Sequence, residues 1–164
     1  MNQPDEIATS PGEGLAAMLD GLCDEVIREI LTGTRRIAMV RASARPHRPS
    51  TGVLGFLLER GYDVIPVNPV VAGRLIRGRT AVATLDEAIP LEMVDIFRNP
   101  AHVGPIADAA IRLGARVVWM QLGVIDAAAA QRARTAGLTV VMDRCPVIEW
   151  RRLGLAGHRV CQRP

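Results

Sequence analysis

Hydroxyl and guanidinium side chains are concentrated in the segment "RASARPHRPST" (41–51), which directly follows a short apolar run. Ser43, Arg45 and Arg48 lie within it, and Ser50 is placed to serve as the N-cap of a helix that follows. The free N–H groups of a helix N-terminus and the forked donors of arginine both bind phosphate oxygens. The segment therefore predicts an anion site, and the alternative is a solvated basic loop with an ordinary helix cap.

This segment lacks the signals of a nicotinamide-binding protein. It contains no glycine, although a dinucleotide fingerprint needs glycines after the first strand for a tight turn and for close approach of the pyrophosphate. The next strand ends at Val67, Asn68 and Pro69, without the acid that would bind the ribose hydroxyls. The sequence therefore disfavours an NAD-dependent dehydrogenase.

The other reactive side chains form no catalytic or metal-binding pattern. Every basic side chain is arginine, which excludes a P-loop lysine and Schiff-base chemistry. The histidines at 47, 102 and 158 share no ligand spacing, so we predict no metal site. Cys145 precedes a proline and is expected to be a small buried residue; the alternative is a reactive thiol whose pKa is lowered by Arg144.

Short apolar runs predict the strands that position these groups: "RIAMV" (36–40), "DVIPV" (63–67), "MVDIF" (93–97), "RVVWM" (116–120) and "LTVVM" (138–142). Such runs, without polar alternation, are typical of strands buried on both faces of a parallel sheet. Predicted helices lie between them, at 50–60, 100–113 and 126–136, and each is followed by a glycine suited to a helix C-terminus. We therefore predict an α/β fold, a Rossmann-like, doubly wound and mainly parallel sheet with flanking helices.

Asp95 lies inside the third of these runs. Two interpretations of this carboxyl stay open. It is either a buried acid with a shifted pKa or an acid satisfied by a partner at an edge or turn.

Composition along the chain predicts its organisation. Residues 1–13 are rich in Pro, Gly, Ser, Thr and acids and are expected to form a disordered tail. Apolar residues recur at helical spacing from Leu15 to Leu31, which predicts one N-terminal helix within 14–34. The Rossmann-like domain is assigned to 35–154, and 155–164 to a C-terminal tail.

Charge and hydropathy exclude several classes of protein. No apolar run approaches the ~20 residues of a membrane helix, and the N-terminus has no secretory signal pattern. We expect a cytoplasmic protein with reduced cysteines and no membrane partner. Residues 35–164 are strongly basic, but the few aromatic residues are not clustered, which disfavours nucleic-acid binding. An acidic N-terminal helix beside a basic domain leaves a homo-oligomer open.

Several blocks of the sequence resemble the small CoA-binding domain proteins related to the CoA-binding domain of the succinyl-CoA synthetase α subunit. The resemblance runs from about Arg35 to Leu153, through "RPHRPS" (45–50), "GYDVIPVNP" (61–69), "VDIFR" (94–98), "GARVVWMQLG" (114–123) and "GLTVVMDRCPVIEWRRL" (137–153). It implies a Rossmann-like fold that binds CoA or acyl-CoA through the ADP moiety, with no established reaction.

The resemblance also implies roles for individual residues. Ser43, Arg45, Arg48 and Ser50 would hold the pyrophosphate. At the ends of the following strands, Asn68 and Pro69 would lie beside the adenosine, Phe97 and Arg98 would border the pantetheine or phosphates, and Gln121, Leu122 and Gly123 would form the floor.

One position departs from the family pattern. Members usually carry V-G-x-S after the first strand, whereas this chain has Val40, Arg41, Ala42 and Ser43. Glycine tolerates a positive φ and lets a backbone N–H approach a phosphate closely. Either Arg41 turns outward and adds a charge-assisted contact, or it narrows the mouth and lowers CoA affinity. The limited room expected for an arginine directly after a buried strand favours obstruction.

The leading hypothesis from the sequence is therefore non-catalytic binding of CoA or acyl-CoA through a phosphate-binding loop after the first strand. The first alternative is a component of an acyl-CoA ligase-type system, although the domain that carries the phosphorylated histidine in the related synthetase is absent. The second alternative is a structural or regulatory protein that has lost its ligand, for which Arg41 is the main argument.

Overall fold

The computed structural model of the chain describes residues 19–160. Its centre is a five-stranded parallel sheet made of β1 (Arg36–Val40), β2 (Asp63–Val67), β5 (Met93–Ile96), β6 (Val117–Met120) and β7 (Thr139–Val141). The order of the strands across the sheet is β2-β1-β5-β6-β7. A small antiparallel pair, β3 (Leu75–Ile76) and β4 (Arg79–Thr80), follows β2 and was not expected from the sequence.

Five helices of the described chain flank this sheet: α1 (Asp24–Gly33), α2 (Pro49–Glu59), α3 (Val103–Arg112), α4 (Ala127–Thr135) and α5 (Pro146–Arg152). Short 3-10 turns occur at Pro69–Val71, Leu85–Ala88 and Pro100–His102. Gly61, Gly114 and Gly137 follow α2, α3 and α4 with φ values of 92°, 76° and 89°. These glycines therefore end the helices in the left-handed region, as the sequence predicts.

Two apolar cores, one on each face of the sheet, explain why the strands are apolar throughout. One core contains Met39, Leu54 and Trp119, and the other contains Val94, Val118 and Met120. Because successive strand residues face opposite cores, both sets must be apolar. The predicted Rossmann-like α/β fold is confirmed, and no helix in the described part of the chain is long and apolar enough to cross a membrane.

The N-terminal helix differs from the continuous helix that was predicted. Leu19 and Asp20 are helical, residues 21–23 are not, and α1 begins only at Asp24. The break falls at Gly21, which has a φ of 71°. Asp20 turns inward there and accepts hydrogen bonds from Arg144 and from the backbone N–H of Met142. The predicted tail at 1–13 lies outside the described residues.

The segment after α5 packs against the domain, although it was predicted as a tail. Leu155 and Val160 are buried, and the Val160 N–H donates to the carbonyl of Arg60 over 2.9 Å. Residues 155–160 therefore belong to the folded unit, because Leu155 and Val160 are buried in it and Val160 is bonded to the residue that directly follows α2.

Candidate functional site: an arginine-lined cleft

The sheet has its topological switch point between β1 and β5. The chain leaves β1 to form β2 on one side and later returns to form β5 on the other side. Loops that leave the carboxyl ends of two such strands run apart, and ligands of doubly wound folds bind in the crevice between them. A cleft of about 660 Å³ lies at this point in the structure.

Residues from three strand ends line the cleft. They are Arg41, Ser43, Ala44, Arg45, Arg48, Pro49, Ser50, Asn68, Val70, Val71, Arg74 and Phe97. Most of the loop after β1 is present, with Asn68 after β2 and Phe97 after β5. Arg74 was not predicted, since the segment between β2 and β5 shows no long apolar run. The signal that could have marked it is an arginine in the segment that follows β2, the strand next to β1 in the sheet.

Hydroxyl groups hold the loop after β1 against the first turn of α2. The Ser43 N–H donates to the Ser50 hydroxyl over 3.2 Å. The Thr51 hydroxyl lies 2.8 Å from the carbonyl oxygens of both Ser43 and Arg45. These contacts define the loop conformation within the protein itself.

The expectation that Ser50 caps the helix is wrong. Helix α2 begins at Pro49, and the N-cap is Arg48, whose side chain makes no capping hydrogen bond. Proline is favoured in the first turn because its missing N–H would have no helical partner there. Ser50 is instead buried in that first turn, where its hydroxyl accepts from the Ser43 N–H.

Asn68 connects the loops that follow β1 and β2. Its side-chain amide donates to the carbonyl of Ala42 over 2.8 Å and its oxygen accepts from the Val70 N–H over 3.1 Å. Both functional groups of the side chain are therefore occupied. Asn68 lines the cleft, as expected, but its hydrogen bonds hold the two loops together.

The cleft is strongly cationic. Four arginines line it, at positions 41, 45, 48 and 74, and no Asp or Glu is among the lining residues. Within residues 19–160, none of these four guanidinium groups makes an ion pair or a side-chain hydrogen bond. Unneutralised guanidinium groups in a concave site favour an anionic ligand, and phosphate oxygens match their geometry.

A second, smaller cavity of about 260 Å³ adjoins the cleft on the other face of the sheet. Its lining is mainly apolar and includes Val40, Val67, Pro69, Leu85 and Ile106. Arg41 lines this cavity as well as the cleft. The site as a whole thus combines a charged part with an apolar part.

The structure places the remaining predicted site residues outside the cleft. Ala42 is buried, and Arg98 is half-buried after β5 without lining either cavity. Gln121 is buried beside Asp95, and the Gly123 N–H donates to the Asp143 carboxylate over 2.7 Å. Neither Gln121 nor Gly123 forms a floor, because β6 lies beyond β5 while the cleft opens over β2, β1 and β5.

Asp95 is the buried acid that the sequence left undecided. It lies in the inner strand β5, between Met39 and Trp119 of the neighbouring strands, and its side chain is inaccessible to solvent. Gln121 donates to one carboxylate oxygen over 2.8 Å, and the other oxygen has no hydrogen-bond partner among residues 19–160. Burial raises the pKa of Asp95 to about 7, and the Gln121 hydrogen bond opposes this shift. Asp95 is therefore a buried acid with a raised pKa and does not lie at an edge, although it does have one partner, Gln121, directly after β6.

Cys145 has the surroundings of a structural residue. Its thiol is buried and lines neither cavity, and burial raises its pKa. Arg144 does not activate it, because that guanidinium is bound by Asp20 and Glu149. Among residues 19–160, no three His, Cys, Asp or Glu side chains come together as a metal site would require.

The doubly wound parallel sheet defines a Rossmann-like α/β protein. Its arginine-lined cleft lies at the switch point, where this class of fold binds ligands. Comparison with known protein families identifies the family within this class. The model of the CoA binding domain matches residues 35–151, and the chain belongs to that family.

Proteins that are similar in sequence or structure match most of the length of this chain. The uncharacterized Bacillus subtilis protein YneT is 38% identical over 120 residues, covering 73% of this chain and 87% of that protein. A hypothetical protein from Pyrococcus horikoshii matches in structure with a TM-score of 0.77 and 43% identity, over 82% of this chain and 94% of that one. A structure from Thermus thermophilus matches with a TM-score of 0.76 and 34% identity, over 80% of this chain and 99% of that one.

Proposed function

We propose that this chain binds CoA or acyl-CoA, with the phosphates in the arginine cleft and the adenine in the adjoining apolar cavity. The observation that carries the proposal is the set of four unneutralised arginines at the switch point of the sheet. Membership of the CoA binding domain family supports the same ligand.

The loop after β1 supports the placement of the diphosphate. Arg45 and Arg48 extend from this loop, and α2 begins directly after it. The N-terminus of an 11-residue helix carries partial positive charge, which adds to the attraction of guanidinium groups for a diphosphate. Because Ser43, Ser50 and Thr51 already hold this loop in place, little of it has to be ordered when a ligand binds.

The apolar cavity supports the placement of the adenine. Val40, Val67, Pro69 and Leu85 provide a surface on which the faces of a purine can be buried. The smaller cavity contacts the cleft at Arg41, so a base in one and a diphosphate in the other can belong to one nucleotide.

The proposed role is binding without catalysis. The described residues that line the cleft contribute guanidinium, hydroxyl, amide and apolar groups, with no carboxylate, thiol or imidazole among them. Such groups hold and orient phosphates, whereas acid–base and nucleophilic steps generally use the missing types. A sensor or a partner subunit fits this description.

The test is isothermal titration of the full chain with CoA, acetyl-CoA, dephospho-CoA and NAD. We expect CoA and acetyl-CoA to bind alike, with micromolar or weaker affinity, and NAD not to compete. Among residues 19–160 no acid lines the cleft beside Asn68, and Asp86 in the apolar cavity is paired with Arg112, so neither cavity offers a free carboxylate to the ribose hydroxyls. The double variant R45A/R48A should lose most of the binding, while R132A, at a surface ion pair far from the cleft, should not. Equal affinity for NAD and CoA would contradict the proposal.

A further inference from the structure

Arg41 lies at the junction of the two cavities. Of the described residues, it is the one that lines both the arginine cleft and the apolar cavity. On one side of it, Val40 faces the apolar cavity, and on the other side Ser43 faces the cleft. A ligand that occupies both cavities must pass this residue.

The backbone of Arg41 is held firmly at this junction. Its φ is 67°, and its N–H donates to the carbonyl of Val67 over 2.8 Å. The N–H group is therefore occupied within the protein, whatever residue stands at this position. The side chain is therefore the group of this residue that can bind an anion, and it is exposed. The exposed side chain of Arg41 is not confined by the end of the strand, contrary to the limited room expected from the sequence.

The guanidinium of Arg41 keeps its charge available. The carboxylate that lines the apolar cavity belongs to Asp86, and Arg112 binds it through two hydrogen bonds of 2.9 and 3.1 Å. Within residues 19–160, Arg41 itself has no acidic partner. A positive charge at the junction is thus uncompensated.

The covalent structure of CoA indicates which ligand group would lie beside the charge of Arg41. The ribose of CoA joins the adenine to the diphosphate, and it carries a phosphate at its 3′ position. With the base in one cavity and the diphosphate in the other, the ribose lies at the junction. We propose that Arg41 binds the 3′-phosphate and thereby selects CoA over dephospho-CoA. This inference rests on the proposed function.

The experiment titrates four proteins with CoA and with dephospho-CoA: the wild type, Arg41→Gly, Arg41→Ala and the matched control Arg48→Ala. Both Arg41 variants should weaken CoA binding by about 10- to 150-fold, the loss of one charge-assisted contact, and leave dephospho-CoA binding within about twofold. Arg48 lines only the cleft, so Arg48→Ala should weaken both ligands by the same factor. The Arg41 effect should shrink at high salt.

Two outcomes for the Arg41 variants would contradict the inference, and one outcome for the wild type would contradict the proposed function. If the Arg41 variants weakened both ligands equally, Arg41 would contact the diphosphate and the inference would be overturned. If Arg41→Gly tightened CoA binding, the residue would be an obstruction and the inference would again fail. If the wild type bound neither ligand, the proposed function itself would fail, which the wild-type titration shows independently of any variant.

Discussion

The N–H of Arg41 and the carbonyl of Val67 form a 2.8 Å hydrogen bond that joins the residue after β1 to the last residue of β2. This bond holds Arg41 at a φ of 67°, in the left-handed region that favours glycine. A glycine at this position would therefore be favoured in this chain by the backbone alone, separately from any effect on ligand binding. Arg41 tolerates the conformation at a cost in stability and keeps its side chain at the junction of the cavities.

Replacing Arg41 by glycine should consequently stabilise the protein. A non-glycine residue in the left-handed region costs about 1–2 kcal/mol, and the greater freedom of glycine in the unfolded chain offsets part of the gain. We expect the free energy of unfolding to rise by about 0.5–1 kcal/mol, measured by denaturant titration without ligand. Arg41→Ala keeps the unfavourable φ and should bring no gain. A similar rise in both variants would show that the side chain, and not the backbone, causes the strain.

Breaking the buried ion pair between Asp20 and Arg144 should be strongly destabilising. The side chains are 0% and 4% exposed, and Arg144 donates to Asp20 over 2.8 and 3.2 Å. Asp20→Ala leaves the buried guanidinium without this partner, which typically costs about 3–5 kcal/mol. Asp24→Ala removes an exposed partner of Arg152 and should cost less than about 1 kcal/mol. Thermal melts of both variants measure the two losses of stability. Equal losses would contradict the prediction that the buried ion pair matters more than the exposed one.

The buried carboxyl of Asp95 should make the protein less stable as the pH rises. Its pKa is raised to about 7 in the folded state, while an exposed aspartate titrates near 4. Between these values the folded protein holds a proton that the unfolded chain has lost. Stability therefore falls across this window, by about 4 kcal/mol in total, and changes no further from this group above it.

Asp95→Asn removes that titration while keeping an oxygen that accepts the Gln121 hydrogen bond. Denaturant melts at pH 4.5 and pH 8 should show a smaller loss of stability for the variant than for the wild type. Asp108→Asn, at an exposed ion pair, should retain the wild-type dependence. Parallel pH profiles of the wild type and Asp95→Asn would contradict the prediction.

Substitution by alanine should have opposite effects on stability at two glycines, one just beyond the end of α2 and one within it. Gly61 has a φ of 92°, and a Cβ there would lie 2.6 Å from the carbonyl oxygen of Val160. Gly61→Ala should therefore cost about 2 kcal/mol or more. Gly52 lies in the helix, and apart from the helix's own backbone and its chain neighbours no described atom lies within 4 Å of such a Cβ, so Gly52→Ala should add about 0.5–1 kcal/mol. Calorimetric melts distinguish the two, and a stable Gly61→Ala protein would show that residues 155–160 do not pack as described.

Much of the fold could be predicted from the sequence because its signals are local. The apolar runs at 36–40 and 63–67 coincide with the first two strands of the structure, and the other three runs match their strands within one residue at each end. Buried parallel strands are marked by apolar runs, and the helices between them end at glycines that adopt a positive φ. Both signals depend on the residue itself and its immediate neighbours.

The candidate site was only partly predictable. Seven residues of the predicted site line the cleft, namely Arg41, Ser43, Arg45, Arg48, Ser50, Asn68 and Phe97. Arg74 was missed because it comes from a segment with only two-residue strands. Gln121 and Gly123 were misplaced because their distance from the cleft depends on the order of the strands.

By itself, the sequence determined the class of fold, the strand positions and the basic loop after β1, since each follows from composition and spacing along the chain. Only the tertiary structure decided which charges stay free. Arg144 and Arg41 are both arginines that follow a strand, yet Asp20, 124 residues away in sequence, neutralises the first, and no acid of the described chain reaches the second. The physical reason is that ion pairing and burial depend on the distance between side chains in space, which spacing along the chain does not contain.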